Sequence, residues 1–387
     1  MKKKKIVVLG GGLVGGPMAI DLSGDDRFAV TVADVDEAAL DRLLGRDPGL
    51  SAVRADLSTP SAVAELVSGY DLVLSAVPGF MGYATLKAIL ETRRNVVDIS
   101  FFAEDPFTLN DTAVRAGVTA VVDCGVCPGL SNLLIGRVAE QLDHVDNISI
   151  YVGGLPEVRR WPYEYRAVFS PMDVIAEYTR PARYVENGVI VTRPALSDPE
   201  LIDFPGLGTL EAFNTDGLRS LARTMSCPNM KEKTLRYPGH IEKMIVLRES
   251  GFFDETEIMV NGSAVRPIDL TAALLFPMWK MDEGEVDLTI LEVTVEGRLA
   301  NQPVRHVFRM LDRHDPVTGT HSMARTTGYT ATAAVRMLGE GLYAEPGIAP
   351  PEIIGRDQPA FESMIASLRE RRVICDEDVT GGPSILS

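Results

Sequence analysis

The residues whose types and spacing promise chemistry begin at the first apolar run. Ile6-Val7-Val8-Leu9 is followed by Gly10-Gly11-Gly12-Leu13-Val14-Gly15, which sets Gly10, Gly12 and Gly15 in a G-x-G-x-x-G pattern. Gly10 suits a tight turn out of a strand, Gly12 lets a pyrophosphate approach the backbone, and Gly15 lets the next helix pack closely. With Leu13 and Val14 between them, these residues would offer free amides and the positive end of a helix dipole to phosphate. Asp34 lies 19 residues after Gly15, where a carboxylate accepts hydrogen bonds from an adenosine ribose and repels a 2′-phosphate. Val35 and Asp36 follow it with no arginine, so the expected cofactor is NAD.

These groups need a sheet to hold them. Over residues 1–125 short apolar runs alternate with amphipathic helical patterns. The runs are Ala29–Ala33, Ala52–Ala55, Leu72–Val77, Asn95–Val97 and Thr119–Val122. This βαβ series predicts a doubly wound parallel sheet of the Rossmann type. Ligands of such sheets bind beyond the carboxyl ends of the strands. Asp56 and Leu57 would then flank adenine. Ala76, Val77, Pro78, Asp98, Ile99 and Asp123 would border the nicotinamide half, with Asp98 and Asp123 as candidate catalytic acids that orient an amine or stabilise an iminium.

From about residue 145 the pattern shifts to alternating strands, an Asn187-Gly188 hairpin turn, and long strands at 286–295 and 304–311. Helices are expected at 171–178, 216–224, 239–250 and 267–280. This is the signature of an α+β domain with a mostly antiparallel sheet, whose face could wall off a substrate above the nicotinamide. The Ala-rich helix at 326–339 is expected to return to the first domain. The organisation read from the sequence is therefore 1–130 with 325–387 as a discontinuous dinucleotide-binding domain, and 131–324 as a substrate and dimerisation domain. The segment after Ala344 is Pro-rich, then helical, and its Gly381-Gly382-Pro383 end is expected to fray.

Composition excludes several classes. The 387 residues carry 38 basic and 54 acidic side chains, a net charge of −16, which disfavours nucleic acid and anionic membranes as partners. No apolar run approaches the ~20 residues of a membrane span. Lys2–Lys5 precede a strand without an apolar h-region and are expected to be a solvated end, not a targeting signal. The four cysteines suggest no disulfide framework and fit a reducing cytoplasm. Cys124-x-x-Cys127 ends a strand, with no second pair at zinc-like spacing, so no metal is expected. His144, His314 and His321 lie in polar contexts, and His306 lies within a strand.

Several further stretches resemble the saccharopine dehydrogenase superfamily, most closely its L-lysine 6-dehydrogenase branch. They are Val97–Phe102, Asp123–Asn132, Tyr178–Arg183, Gly208–Arg219 and Thr234–His240. The resemblance covers roughly residues 5–340 and implies NAD-dependent oxidation of a C–N bond at the lysine side-chain end. For L-lysine the product is the 6-semialdehyde, which cyclises to piperideine-6-carboxylate, with release of ammonia. Saccharopine dehydrogenase or a related enzyme such as carboxynorspermidine dehydrogenase is the alternative. A reading of another class is a non-catalytic NAD-sensing protein. The resemblance also implies a homodimer or higher homo-oligomer.

Such chemistry needs a base, first for the ammonium and then for water, and a partner for the α-carboxylate. His240, at a predicted strand-to-helix junction in the last of those motifs, is the first candidate base. Arg236, Arg166 and Arg160 are candidate carboxylate binders. Tyr165, in the aromatic loop 161–165, could close over an aliphatic chain, and Glu211 and Thr215 could line the pocket.

Overall fold

A computed structural model of the chain describes residues 2–282 and 284–386. The chain divides into two compact units, Met1–Gln141 with Met323–Ile374, and Leu142–Ser322 with Cys375–Ser387.

The first unit is an α/β fold. Its strands are β1 (Lys4–Leu9), β2 (Phe28–Asp34), β3 (Ser51–Arg54), β4 (Leu72–Ser75), β5 (Asn95–Asp98) and β6 (Thr119–Val121). With Gly347–Ile348 they form a seven-stranded parallel sheet in the order edge-β6-β5-β4-β1-β2-β3. The order reverses between β1 and β4, the place where a doubly wound sheet opens a ligand crevice. Val7, Leu9, Val73 and Val96 are fully buried, as strands covered on both faces require. The helix Ser322–Glu340 packs into this unit from Met323 onward. Its buried Arg336 pairs with Asp21 at 2.8 Å, and Arg371 takes the other oxygen of Asp21 at 2.5 Å.

The second unit is built on a mixed, mostly antiparallel sheet. Its strands are β7 (His144–Pro156), β8 (Ala182–Glu186), β9 (Val189–Arg193), β10 (Glu200–Phe204), β11 (Gly208–Asn214), β12 (Asn229–Arg236), a separate hairpin β13 (Ile258–Val260) and β14 (Ser263–Val265), and then β15 (Asp287–Leu299) and β16 (Gln302–Arg313). The main path runs β10-β11-β12-β7-β15-β16, and among the described residues only its β12–β7 pair is parallel.

Four expectations change. Residues 131–141 form most of a helix, Leu130–Gln141, that belongs to the first unit. The segment 375–387 belongs to the second unit, because Asp376–Thr380 pairs antiparallel with β16. Residues 384–386 are tied down, not frayed: Glu377 accepts the amides of Ile385 and Leu386, each at 2.9 Å, and the hydroxyl of Ser384 at 2.5 Å. The helix expected from Asp216 shrinks to Leu221–Thr224. Asp216 turns its carboxylate to Arg183 instead, with two bonds of 2.8 Å, and Arg219 sits at φ +45°. Among the described residues no helix is long and apolar enough to cross a membrane.

Candidate active site

In the first unit the glycine turn has the shape its spacing predicts. Gly10 has φ +99°, and a Cβ there would stand 2.8 Å from the Ala76 carbonyl oxygen. A Cβ on Gly15 would lie 2.0 Å from the Gly10 oxygen, so the helix Gly15–Ser23 can approach the turn only with glycine there. Around Gly12 nothing lies within 4 Å of the Cβ position, and Gly12 and Leu13 are exposed. The result is an open backbone cradle at a helix N-terminus, the setting that a pyrophosphate requires. Asp34 closes its rim. Its Oδ2 accepts the Gly11 amide at 2.6 Å and its Oδ1 the Asp36 amide at 2.9 Å.

The other positions divide by exposure. Val14 is half-buried, and Val35 is 60% exposed at the end of β2. Asp56 is exposed and accepts the Ser58 amide at 2.9 Å. Leu57 does not present itself to an adenine: its side chain is packed in the apolar core. Val77 is buried in the same core, whereas Ala76 and Ile99 are half-buried and Pro78 is exposed.

Asp98 and Asp123 both come to rest at the strand ends, and both are buried. Burial pushes the Asp98 carboxyl up to about 7, with the Asp123 charge adding to the rise and the Ser100 and Ser75 hydroxyls opposing it. Asp98 Oδ1 accepts the Ser100 hydroxyl at 2.7 Å, while Oδ2 has no hydrogen-bond partner among the described residues. Asp98 therefore exchanges its proton near neutrality. Cys124 is fully buried, and burial pushes its thiol far up, which keeps it protonated.

In the second unit the candidates gather around the end of β12. Alternate residues of a strand share a face, so Glu232, Thr234 and Arg236 face the same way. All three are buried. Arg236 donates to Glu177 at 2.7 Å and to the Leu235 carbonyl at 3.0 Å. Its guanidinium lies 4.6 Å from the centroid of the Tyr165 ring. Glu232 accepts from the Thr215 hydroxyl at 2.7 Å and the Gly217 amide at 3.0 Å. Thr215 also bonds Thr234 at 2.8 Å. Burial raises Glu232 to about 8 against the pull of those bonds, so this carboxyl is largely protonated at neutral pH. Burial also raises Glu177, with Arg236 opposing.

His240 begins a helix beside this layer but does not suit the role of base. Its Nε2 meets the Tyr178 hydroxyl at 2.9 Å and its Nδ1 the Tyr163 carbonyl at 2.8 Å. The carbonyl can only accept, so Nδ1 carries the proton and Nε2 accepts from the tyrosine. Burial, with the Arg236 charge adding to it, lowers His240 to about 3. The ring is thus neutral and saturated, and fixes Tyr178 in place. Arg166 is committed elsewhere: it pairs with Glu285 at 3.1 Å and Asp282 at 3.4 Å and donates to the Met278 carbonyl. Arg160 pairs with Glu285 at 3.0 Å. Glu211 accepts the Gly239 amide at 3.0 Å and so secures the turn between β12 and the next helix. Tyr165 is buried, and its hydroxyl has no hydrogen-bond partner among the described residues.

Sequence reasoning passed over Glu177, Tyr178 and Glu232 as site residues. Glu232 had a local signal, since the alternation Glu232-Lys233-Thr234-Leu235-Arg236 puts three polar groups on one face of an interior strand; Glu177 and Tyr178, on the helix Pro171–Thr179, had none.

Comparison with known proteins bears on both units. The family model described as the saccharopine dehydrogenase NADP binding domain matches residues 6–121, and that of the saccharopine dehydrogenase C-terminal domain matches residues 125–374. A mitochondrial alpha-aminoadipic semialdehyde synthase of Mus musculus is 30% identical over 253 residues, which are 62% of this chain and 27% of that protein. The chain thus spans about a quarter of that relative's length. A saccharopine dehydrogenase [NADP(+), L-glutamate-forming] of Schizosaccharomyces pombe is 22% identical and aligns with 96% of this chain and 99% of its own. In fold, the chain is similar to the apo saccharopine dehydrogenase (L-Glu forming) of Saccharomyces cerevisiae, with a TM-score of 0.78 at 19% identity, covering 98% of this chain and 100% of the other.

Proposed function

Since the chain belongs to the saccharopine dehydrogenase family, we propose that it is a nicotinamide-dependent oxidoreductase of lysine metabolism acting on a C–N bond, and specifically that it oxidatively deaminates the ε-amine of L-lysine with NAD. The cradle supports a dinucleotide: Gly10, Gly12 and Gly15 leave room for a pyrophosphate, and Asp34 suits a free ribose diol better than a 2′-phosphate. The bound nicotinamide would accept a hydride from the carbon that carries the nitrogen.

The observation that carries the substrate class is the buried polar face of β12. One guanidinium, Arg236, is matched by one neighbouring carboxylate, Glu177, which suits the α-carboxylate and α-ammonium of an amino acid. Tyr165 lies against the same guanidinium and offers an apolar surface for an aliphatic chain. Hydride leaves only from a neutral amine, so the ε-ammonium must lose a proton. Asp98, poised at about 7, is the side chain we assign to take it and, once that proton has passed to solvent, to take a proton from the water that adds to the iminium and return it to the departing nitrogen, which leaves as ammonia.

Saccharopine is the second reading, favoured by the relative that aligns over 96% of the chain. A panel of L-lysine, saccharopine and carboxynorspermidine, each with NAD or NADP, distinguishes these readings by the rate of cofactor reduction. Binding of NAD without turnover on any of them would leave the nucleotide-sensing alternative. We also take the chain to work as a homo-oligomer, which sedimentation velocity tests.

A further inference from the structure

Three side chains able to hold a metal meet at one end of the second unit's sheet, outside the groups used above. Asp287 opens β15, and His314 follows the last residue of β16. The two strands pair from Leu288 and Arg313, and the His314 amide donates to the Asp287 carbonyl at 3.0 Å. The ladder itself therefore sets these two residues side by side. The loop that follows is closed by an antiparallel bridge between Asp315 and Thr320. It returns His321 to His314, with 5.1 Å between the ring centroids.

The Asp287 carboxylate is fully buried, and its Oδ1 accepts the Ser322 amide at 2.7 Å. The same oxygen faces His321 Nδ1 at 3.1 Å. One donor atom from each of the three residues lies within 4.8 Å of the others. His314 Nδ1 is buried and has no hydrogen-bond partner among the described residues.

We propose that Asp287, His314 and His321 bind a divalent transition-metal ion of the Zn2+ type, which clamps the loop 314–321 to the start of β15. Two imidazoles and one carboxylate suit such an ion, whereas Ca2+ and Mg2+ prefer oxygen ligands alone. A tetrahedral centre with ligands at about 2.0–2.1 Å sets neighbouring donor atoms about 3.3 Å apart, close to the 3.1 Å between Asp287 and His321. A simple Asp–His hydrogen bond explains His321 and leaves His314 with a buried, unpaired nitrogen, which is costly. A shared cation accounts for both rings. The Ser322 amide, by fixing the carboxylate, would raise the precision of the site.

The test is titration of the chelator-treated, full-length protein with Co2+, followed by its visible absorption, and then with Zn2+ as competitor. The expected result is one cobalt ion per chain with a tetrahedral-type spectrum, displaced stoichiometrically by zinc. Zinc should also raise the melting temperature. His314→Gln and His321→Gln should each weaken binding by at least about tenfold, the lower end of what even an outer partner of a ligand costs, and should abolish the melting shift. His144→Gln should change neither. Absence of stoichiometric cobalt binding, or binding unaltered in both folded histidine variants, would overturn the proposal.

Discussion

The carboxylate of Asp34 accepts the amide of Gly11 at 2.6 Å, so the side chain expected to recognise the ribose also holds the loop expected to receive the phosphates. Replacing it should therefore alter both selectivity and affinity. We predict that the protein binds NADH more tightly than NADPH and that Asp34→Ser reverses or erases the preference. Hydrogen bonds to a charged group contribute about 1.5–3 kcal/mol each, so NADH should lose about ten- to a hundredfold in affinity. Fluorescence titration with both reduced cofactors measures it. A wild-type preference for NADPH would contradict the assignment.

His240 should behave as a support. With its proton affinity lowered to about 3, its titration lies below any working pH. His240→Asn should lower stability by roughly 1–3 kcal/mol, the cost of unsatisfied buried partners, yet leave the position of the acid limb of the kcat/KM profile unchanged. Loss of that limb in the variant would restore His240 as the base.

Two buried carboxyls set a pH dependence of stability. Asp98 is raised to about 7 and Glu232 to about 8, so both hold protons more tightly folded than unfolded. The stability they confer is complete below the ordinary carboxylate range, declines as pH rises, and is lost above about 8. Relative to wild type, Asp98→Asn and Glu232→Gln should each gain stability between pH 5 and pH 8, on the order of a few kcal/mol. Urea unfolding across that window reads the difference. A wild type whose stability rises over it relative to both variants would refute the protonated state of these groups.

Arg236 is predicted to act on the amino acid and not on the nucleotide. Arg236→Lys keeps the charge beside Glu177 but loses the planar fork. The KM for the amino acid should rise at least about tenfold, as expected for loss of a charge-assisted bond, while NADH affinity stays constant. Equal effects on both ligands would argue for a structural role alone.

The first unit was legible because parallel strands buried on both faces read as apolar runs, and because glycine at positions 10 and 15 answers contacts that no Cβ could survive. The candidate site in the second unit was less legible. In β12 the residues Asn229-Met230-Lys231-Glu232-Lys233-Thr234-Leu235-Arg236 carry no apolar alternation. Their burial depends on partners such as Glu177 and Thr215, which are distant in sequence, and no local pattern encodes that pairing. His240 misled for the same reason: a histidine at a strand-to-helix junction suits a cleft, but the Tyr163 carbonyl and the Tyr178 hydroxyl, each more than sixty positions away, occupy both of its nitrogens.

The most direct test of the account is the initial rate of NAD reduction with L-lysine as the sole amine, with ammonia measured in the same samples. The account predicts that reduced cofactor and ammonia appear in equal amounts, and that Asp98→Asn suppresses both. No reduction with L-lysine, alongside turnover of saccharopine, would contradict it.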